Sequence, residues 1–138
     1  MVELADTSAW IASSRKPRLR EAFDDAVSAN EVATCDAVKL ELLYGTRNAE
    51  EFSSVRTRLE LLRQCPIGPD EWRRALDVYE VLAHQGGLHH RRVKHADLLV
   101  AAAAESAGVG LVHYDEDFDA IAAITKQPAR WIVRRGSL

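Results

Sequence analysis

Short apolar segments that are separated by helical segments constrain the fold of this chain most strongly. Four of them stand out: "MVELAD", "EVATC", "GLVHY" and "RWIVR". Strands that are connected through helices, rather than through tight hairpin turns, pair in parallel and leave helices on both faces of the sheet. The sequence therefore predicts an α/β fold with three layers, in which helices enclose a central, mostly parallel sheet of about four to five strands.

Helix signals fill the segments between these strands. We expect a helix over residues 36–44, capped by Thr34 and stopped by Gly45, and an alanine-rich helix in "KHADLLVAAAAESAG", closed by Gly108. A further helix after Asn48 is predicted from an apolar stripe at steps of three and four: Phe52, Val55, Leu59 and Leu62. The segment "GPDEWRRALDVYEVLAHQGG" predicts another, with one apolar face: Trp72, Leu76, Tyr79 and Leu82. We expect these last two helices to pair as a hairpin.

Length and composition indicate one cytoplasmic domain. The 138 residues suffice for a single core, so we expect one domain over residues 1–138. The longest apolar run, 98–104, is too short to span a membrane, and Glu3 and Asp6 interrupt any apolar signal segment. Cys35 and Cys65 stand alone without metal-ligand spacing, and we expect core thiols and no disulfide.

The charge distribution leaves a polyanionic partner open. The formal net charge is −3, but three segments are locally basic: 15–20, 89–95 and the acid-free segment 126–135. In "HHRRVKH" we weigh a solvated loop against phosphate binding, with Arg91, Arg92 and Lys94 as candidate RNA contacts. Adjacent histidines in a loop lack a rigid scaffold, which disfavours a metal site there.

Acidic residues follow two of the predicted strands. Asp6 ends the first strand, and Asp115 follows the strand "GLVHY". Ligands of parallel sheets bind beyond the carboxyl ends of the strands, and neighbouring strands lie about 4.8 Å apart. If these two strands are neighbours, both carboxylates can share one ion.

Two more acids can complete an oxygen cage at this edge of the sheet. Asp97 lies in the first turn of its helix, and Glu41 lies among leucines in "VKLELLYG". Carboxylates so close together cannot all ionise without a counter-ion, and Mg²⁺ or Mn²⁺ prefers such hard oxygen ligands to the thiolates and imidazoles that zinc favours. A metal ion held in this way can activate water to attack a phosphodiester.

The acidic motifs resemble a known family. In order, "ELADTSAW", an acid in "VKLELLYGTRN", "HADLLVAAAA" and "HYDEDFDAI" are similar to the motifs of PIN-domain ribonucleases, particularly the VapC-type toxins of toxin–antitoxin pairs. The resemblance spans essentially the whole chain. It implies the PIN fold, Mg²⁺-dependent endoribonuclease activity on structured RNA such as tRNA, a homodimer, and a cognate antitoxin that blocks the active site.

By this resemblance, the catalytic and metal-binding residues are Asp6, Glu41, Asp97 and Asp115. Asp117 is a fifth candidate ligand, which we rank lower because a helix N-cap explains it equally well. The candidates for contacts to the ligands are Thr7, Ser8 and His113. His113 departs from the family, which commonly has threonine or serine there, and Asp36 stands where an uncharged residue is commoner.

Two alternative functions remain open. One is a catalytically impaired PIN scaffold that binds RNA without cutting it. The other is a phosphoacceptor receiver domain, which also places acids at the ends of parallel strands. A receiver requires paired acids after the first strand and a lysine at the last, whereas Asp6 is single and 130–135 contains no lysine.

Overall fold

Strands and helices alternate along the chain, and the computed structural model describes all of residues 1–138. The strands are β1 (Glu3–Ala5), β2 (Val32–Thr34), β3 (Arg63–Gln64), β4 (Gly110–His113) and β5 (Ala129–Trp131). The helices are α1 (Thr7–Ser13), α2 (Pro17–Ser28), α3 (Asp36–Tyr44), α4 (Ala49–Glu60), α5 (Pro69–His84), α6 (His95–Ala107) and α7 (Asp117–Thr125). A 3-10 helix, His89–Arg92, precedes α6.

The five strands form one parallel sheet in the order β3-β2-β1-β4-β5. The predicted three-layer α/β fold is therefore confirmed. β1 lies at the centre and pairs with β4, with Leu4 opposite Leu111 and Ala5 opposite Val112. The chain order reverses between these two strands, which is where parallel α/β sheets open a ligand crevice.

Side chains alternate between the two faces of the sheet and build a core on each. Leu4 and Leu111 belong to the larger core, which includes the alanine-rich α6. Ala5 and Val112 face the other side, where Phe23 of α2 packs. Because residues in a strand point to opposite faces in turn, each short strand contributes to both cores.

The larger core depends on small residues in α6. The run from Val100 to Ala104 is almost fully buried, so this helix contacts neighbours on most of its surface. Methyl side chains allow the close approach of α5, whose Arg74 also forms a 2.8 Å salt bridge with Glu105 of α6. Cys35 and Cys65 are buried and free, and burial raises the pKa of Cys35 to about 11.

Two local predictions are wrong, and one short strand is missing from the prediction. α5 packs against α6 instead of forming a hairpin with α4, because the chain between α4 and α5 adds the short strand β3 beside β2. Thr34 does not cap α3: the cap position is Cys35, and the Thr34 hydroxyl is buried in β2 without a hydrogen-bond partner. β3 was not predicted, since "RQ" carries no apolar signal.

The apolar face of α5 also differs from the predicted stripe. Its buried residues are Ala75, Val78 and Leu82, whereas Trp72 and Leu76 are 56% and 64% exposed. Ala75, Val78 and Leu82 pack into the core that contains the alanines of α6, and this orientation of the helix leaves Trp72 and Leu76 on its outer side. Every helix is too short or too polar to cross a lipid bilayer.

Enlarging one alanine of α6 should destabilise the fold. Ala103 is fully buried, and we expect Ala103→Leu to lower the free energy of unfolding by about 1–3 kcal/mol through overpacking. Ala83→Leu on the exposed side of α5 is the matched control and should change stability little. Urea unfolding followed by circular dichroism measures both, and equal effects of the two substitutions would contradict this account of the core.

Candidate active site

The pairing of β1 with β4 places two acids side by side at the carboxyl edge of the sheet. Asp6 directly follows β1, and its backbone N–H donates to the Val112 carbonyl at 3.0 Å. Asp115 follows β4 by two residues. Their proximity is electrostatically significant, because the negative charge of Asp115 contributes to raising the pKa of Asp6.

Ser8 joins the ends of these two strands. Its hydroxyl donates to Asp6 Oδ2 at 2.6 Å and accepts the backbone N–H of Tyr114 at 2.9 Å. The Ser8 backbone N–H also donates to Asp6 Oδ2 at 2.9 Å, which makes Asp6 the N-cap of α1. Ser8 therefore fixes the Asp6 carboxylate relative to the chain that leads to Asp115.

Three aspartates form the tightest acidic group. Asp97, Asp115 and Asp117 each offer a carboxylate oxygen, and these oxygens lie within 4.8 Å of one another. Asp97 lies in the first turn of α6 and Asp117 begins α7, so two helix N-termini direct side chains to the edge of the sheet. Glu41, on the more exposed α3, lies farther out but is close enough for the charges of Asp6 and Asp115 to raise its pKa.

Asp117 is more central to this group than the sequence suggests. Glu116 takes the N-cap position of α7 and makes no side-chain cap bond. The Asp117 backbone N–H donates instead to Asp115 Oδ1 at 2.9 Å. Asp117 Oδ2 accepts the backbone N–H of Lys94 at 3.1 Å, which turns its carboxylate toward Asp97.

Lys94 contacts the same three aspartates. Its ammonium Nζ lies 2.7 Å from Asp115 Oδ2, 3.1 Å from Asp117 Oδ2 and 3.4 Å from Asp97 Oδ2. The sequence indicates only a basic loop here; the one clue to this contact is the position of Lys94 three residues before Asp97, at the start of a helix. Arg91 and Arg92, the other candidate RNA contacts, are exposed in the 3-10 helix.

Burial and like charge together disfavour ionisation of these carboxyls. Burial is the main reason that the pKa values of Asp6, Glu41 and Asp97 are raised, and neighbouring acids raise them further. Burial acts in the same direction on Asp117, but hydrogen bonds from Asp97 and Lys94 outweigh it and lower the pKa of Asp117. The pKa shifts of this neighbouring pair are therefore opposite, and Asp97 holds a proton more readily than Asp117.

His113 lies beneath the site and is fully buried. Its Nδ1 accepts the backbone N–H of Asp115 at 3.2 Å, and its ring contacts those of Phe118 and Trp131 at centroid distances of 5.1 Å. Burial lowers its pKa, so the ring is neutral. His113 therefore orients the backbone at Asp115 and lies outside the tight carboxylate group.

Unpartnered oxygens at this edge fit a hard cation. Asp6 Oδ1 and Asp97 Oδ2 are buried without a hydrogen-bond partner, and so is the Thr7 hydroxyl, which lies near enough to Glu41 to lower its pKa. Buried oxygens of this kind are destabilising unless a donor or a cation reaches them. Carboxylate oxygens without thiolate or imidazole match Mg²⁺ or Mn²⁺.

Removing the Ser8 hydroxyl should loosen the link between β1 and β4. We expect Ser8→Ala to lower the free energy of unfolding by about 1–3 kcal/mol, because one charged and one backbone group lose their hydrogen bonds. Ser14→Ala removes a single exposed bond to the Ile11 carbonyl and serves as the control. Chemical denaturation compares the two, and a Ser8 effect no larger than that of Ser14 would show that the bridge is unimportant.

The raised pKa of Asp97 predicts a pH-dependent stability without metal. A carboxyl whose pKa is raised by folding holds its proton more tightly in the folded protein, so stability falls as pH rises above the ordinary value of about 3.9. In EDTA, Asp97→Asn should lose less stability than the wild type between pH 4 and 8, by at most about 1.4 kcal/mol for each pH unit. Urea midpoints across this range measure the difference, and parallel profiles would contradict it.

Comparison with known proteins places this geometry in a family. Residues 4–124 match the model of the PIN domain. The chain is 46% identical over 138 residues to ribonuclease VapC18 of Mycobacterium tuberculosis, with 100% of both chains covered. It is 38% identical over 135 residues to ribonuclease VapC51 of the same organism, covering 98% of this chain and 96% of the relative.

Solved structures share the fold. A chain in the crystal structure of DNA-bound VapBC from Salmonella typhimurium superimposes with a TM-score of 0.72 at 18% identity, covering 96% of this chain and 100% of that chain. A chain of the toxin–antitoxin complex VapBC-5 from Mycobacterium tuberculosis gives a TM-score of 0.58 at 25% identity, covering 94% and 96%. The chain belongs to the PIN-domain family and, within it, to the VapC proteins.

Proposed function

We propose that this protein is a metal-dependent endoribonuclease and the toxin of a type II toxin–antitoxin pair. One observation carries the proposal: acids from distant parts of the chain converge at the carboxyl edge of the sheet, and three of them offer oxygens within 4.8 Å of one another. The whole-chain identity of 46% to a protein named as a ribonuclease supports RNA as the substrate.

The chain holds a divalent cation, in this proposal, through Asp97, Asp115 and Asp117, with Asp6 and Glu41 completing the site. Asp6 Oδ1 and Asp97 Oδ2, which are buried and accept no hydrogen bond, support this role. Mg²⁺ is the proposed ion and Mn²⁺ its substitute, because both accept several carboxylate oxygens together with water. Bound there, the cation supplies Lewis acidity that polarises a phosphodiester and activates water for attack.

The protein's own contribution is to fix and orient the carboxylates. Ser8 holds Asp6, and His113 holds the backbone at Asp115. The first turns of α6 and α7 direct Asp97 and Asp117 toward the same point. No nucleophilic side chain is required, because water is the attacking group in this proposal and the metal-bound site would activate it.

The basic surface beside the acids is the proposed RNA contact. Arg92 lines a cavity of about 330 Å³ at the border of the carboxylate group, together with Arg135 and three acids, Glu116, Asp117 and Asp119. Arg91 is exposed in the same 3-10 helix as Arg92. The two neighbouring arginines can neutralise phosphates beside the bond to be cut, which a negatively charged site requires. A structured RNA such as tRNA remains the proposed substrate.

The proposed partners are a cognate antitoxin and a second copy of the chain. The antitoxin is supported by the structural neighbours, which come from VapBC and other toxin–antitoxin complexes. The homodimer is supported by Trp72 and Leu76, two exposed apolar side chains one turn apart on α5. We place both partners and the RNA in the cytoplasm. The comparisons favour neither the impaired RNA-binding module nor the receiver domain.

Replacing single carboxylates should abolish cleavage without unfolding the protein. We expect Asp97→Asn and Asp115→Asn to reduce RNA cleavage by about 100-fold or more, since each removes a metal ligand. EDTA should abolish cleavage by the wild type, and Mn²⁺ or Mg²⁺ should restore it. Purified protein with a tRNA pool, followed by mapping of new RNA 5′ ends, provides the measurement.

Asp25→Asn is the matched control, because Asp25 is exposed on α2, outside the acidic group. It should cleave RNA at the wild-type rate. Circular dichroism of all three variants separates lost chemistry from lost structure. Wild-type cleavage by folded Asp97→Asn would refute the proposed site, and cleavage that persists in EDTA would refute its dependence on metal.

A further inference from the structure

The Lys94 ammonium occupies the space between the three most closely spaced carboxylates. It lies 2.7 Å from Asp115 Oδ2 and 3.1 Å from Asp117 Oδ2, both hydrogen-bond distances, and 3.4 Å from Asp97 Oδ2. The same three residues offer the oxygens that come within 4.8 Å of one another. A single positive charge thus contacts the whole group.

The backbone fixes Lys94 at this position. Its N–H donates to Asp117 Oδ2 at 3.1 Å, and its carbonyl accepts the N–H of Asp97 at 3.1 Å. Lys94 is thereby tied to α6 and α7 at the point where both helices begin. Its side chain nevertheless stays 60% exposed, so the ammonium has an open path from the carboxylates into solvent.

We propose that Lys94 is an internal counter-ion, which holds the three aspartates together before a metal binds and competes with the metal for them. This inference rests on the proposed function, because it assumes that these aspartates are metal ligands. A lysine that served only to stabilise the fold would resemble Lys39, which is largely buried against Asp36, Glu60 and Gln64. Lys94 is instead exposed and contacts only acids of the site.

Competition follows from the size of the site. Mg²⁺ binds carboxylate oxygens at about 2.0–2.1 Å, so it would need the space between the oxygens that the ammonium group now contacts. The Lys94 side chain would therefore turn outward on metal binding. A released ammonium group would be free to contact an RNA phosphate, which would couple metal loading to substrate binding.

Metal binding in the absence of RNA tests this competition. Lys94→Met removes the charge and retains the apolar stem, so it should bind Mn²⁺ more tightly than the wild type, roughly tenfold in the dissociation constant, or about 1.4 kcal/mol. The same variant should unfold at a lower temperature in EDTA, because the aspartates lose their counter-ion. Isothermal titration calorimetry with Mn²⁺ and thermal unfolding in EDTA provide the two measurements.

Two further variants make the result specific. Lys126→Met removes an equal charge at the other end of α7 and should change neither measurement. Lys94→Arg retains the charge and should bind Mn²⁺ no more tightly than the wild type, which also keeps the test valid if Lys94→Met does not fold.

Wild-type or weaker Mn²⁺ affinity in Lys94→Met, with normal binding by the wild type, would overturn the inference and leave the proposed function intact. Absence of Mn²⁺ binding in all the variants and the wild type would overturn both.

Discussion

Repulsion among carboxylates at the carboxyl edge of the sheet is the constraint on which the rest of the structure depends. The central pairing of β1 with β4 forces Asp6 and the chain leading to Asp115 together. Each further acid that reaches this edge makes ionisation of the others less favourable, as the raised pKa values of Asp6 and Asp97 reflect. The surrounding helices therefore have to supply hydrogen-bond donors and positive charge to these carboxylates. This requirement explains why the N-termini of α1, α6 and α7 lie at this edge of the sheet.

Compensation comes from three sources of different strength. Ser8 supplies two hydrogen bonds to Asp6, one from its hydroxyl and one from its backbone. The N-terminal ends of α6 and α7 carry partial positive charge, which favours the carboxylates of their first turns. Lys94 supplies a full charge, but its exposure weakens the stabilisation that its ion pairs provide. None of these donates a hydrogen bond to Asp6 Oδ1 or Asp97 Oδ2, although Lys94 Nζ lies 3.4 Å from the latter, so the negative charge is only partly compensated.

The parts of this arrangement that depend on periodicity and strand order could be predicted from sequence, whereas the parts that depend on packing could not. Asp6 and Asp115 follow apolar segments, and a parallel sheet leaves few places for their side chains to go. The central position of Asp117 depends on a backbone bond from Lys94, which no local pattern encodes. Likewise, Trp72 and Leu76 have helical spacing suited to a core, but α5 packs with Ala75 and Val78 facing the core, which helical spacing alone does not decide.

A site built only to bind RNA would be expected to carry the opposite charge. Phosphate binding gains from lysine and arginine and loses from each buried carboxylate placed beside the backbone of the RNA. In this chain the basic residues Arg91 and Arg92 lie at the border, while Asp97, 2% exposed, lies at the centre. Buried carboxyls that lack partners lower the stability of the fold, which favours the proposed cation chemistry over simple RNA binding. In this proposal, Lys94, the one lysine among the acids, stabilises the metal-free fold until a cation replaces its ammonium group.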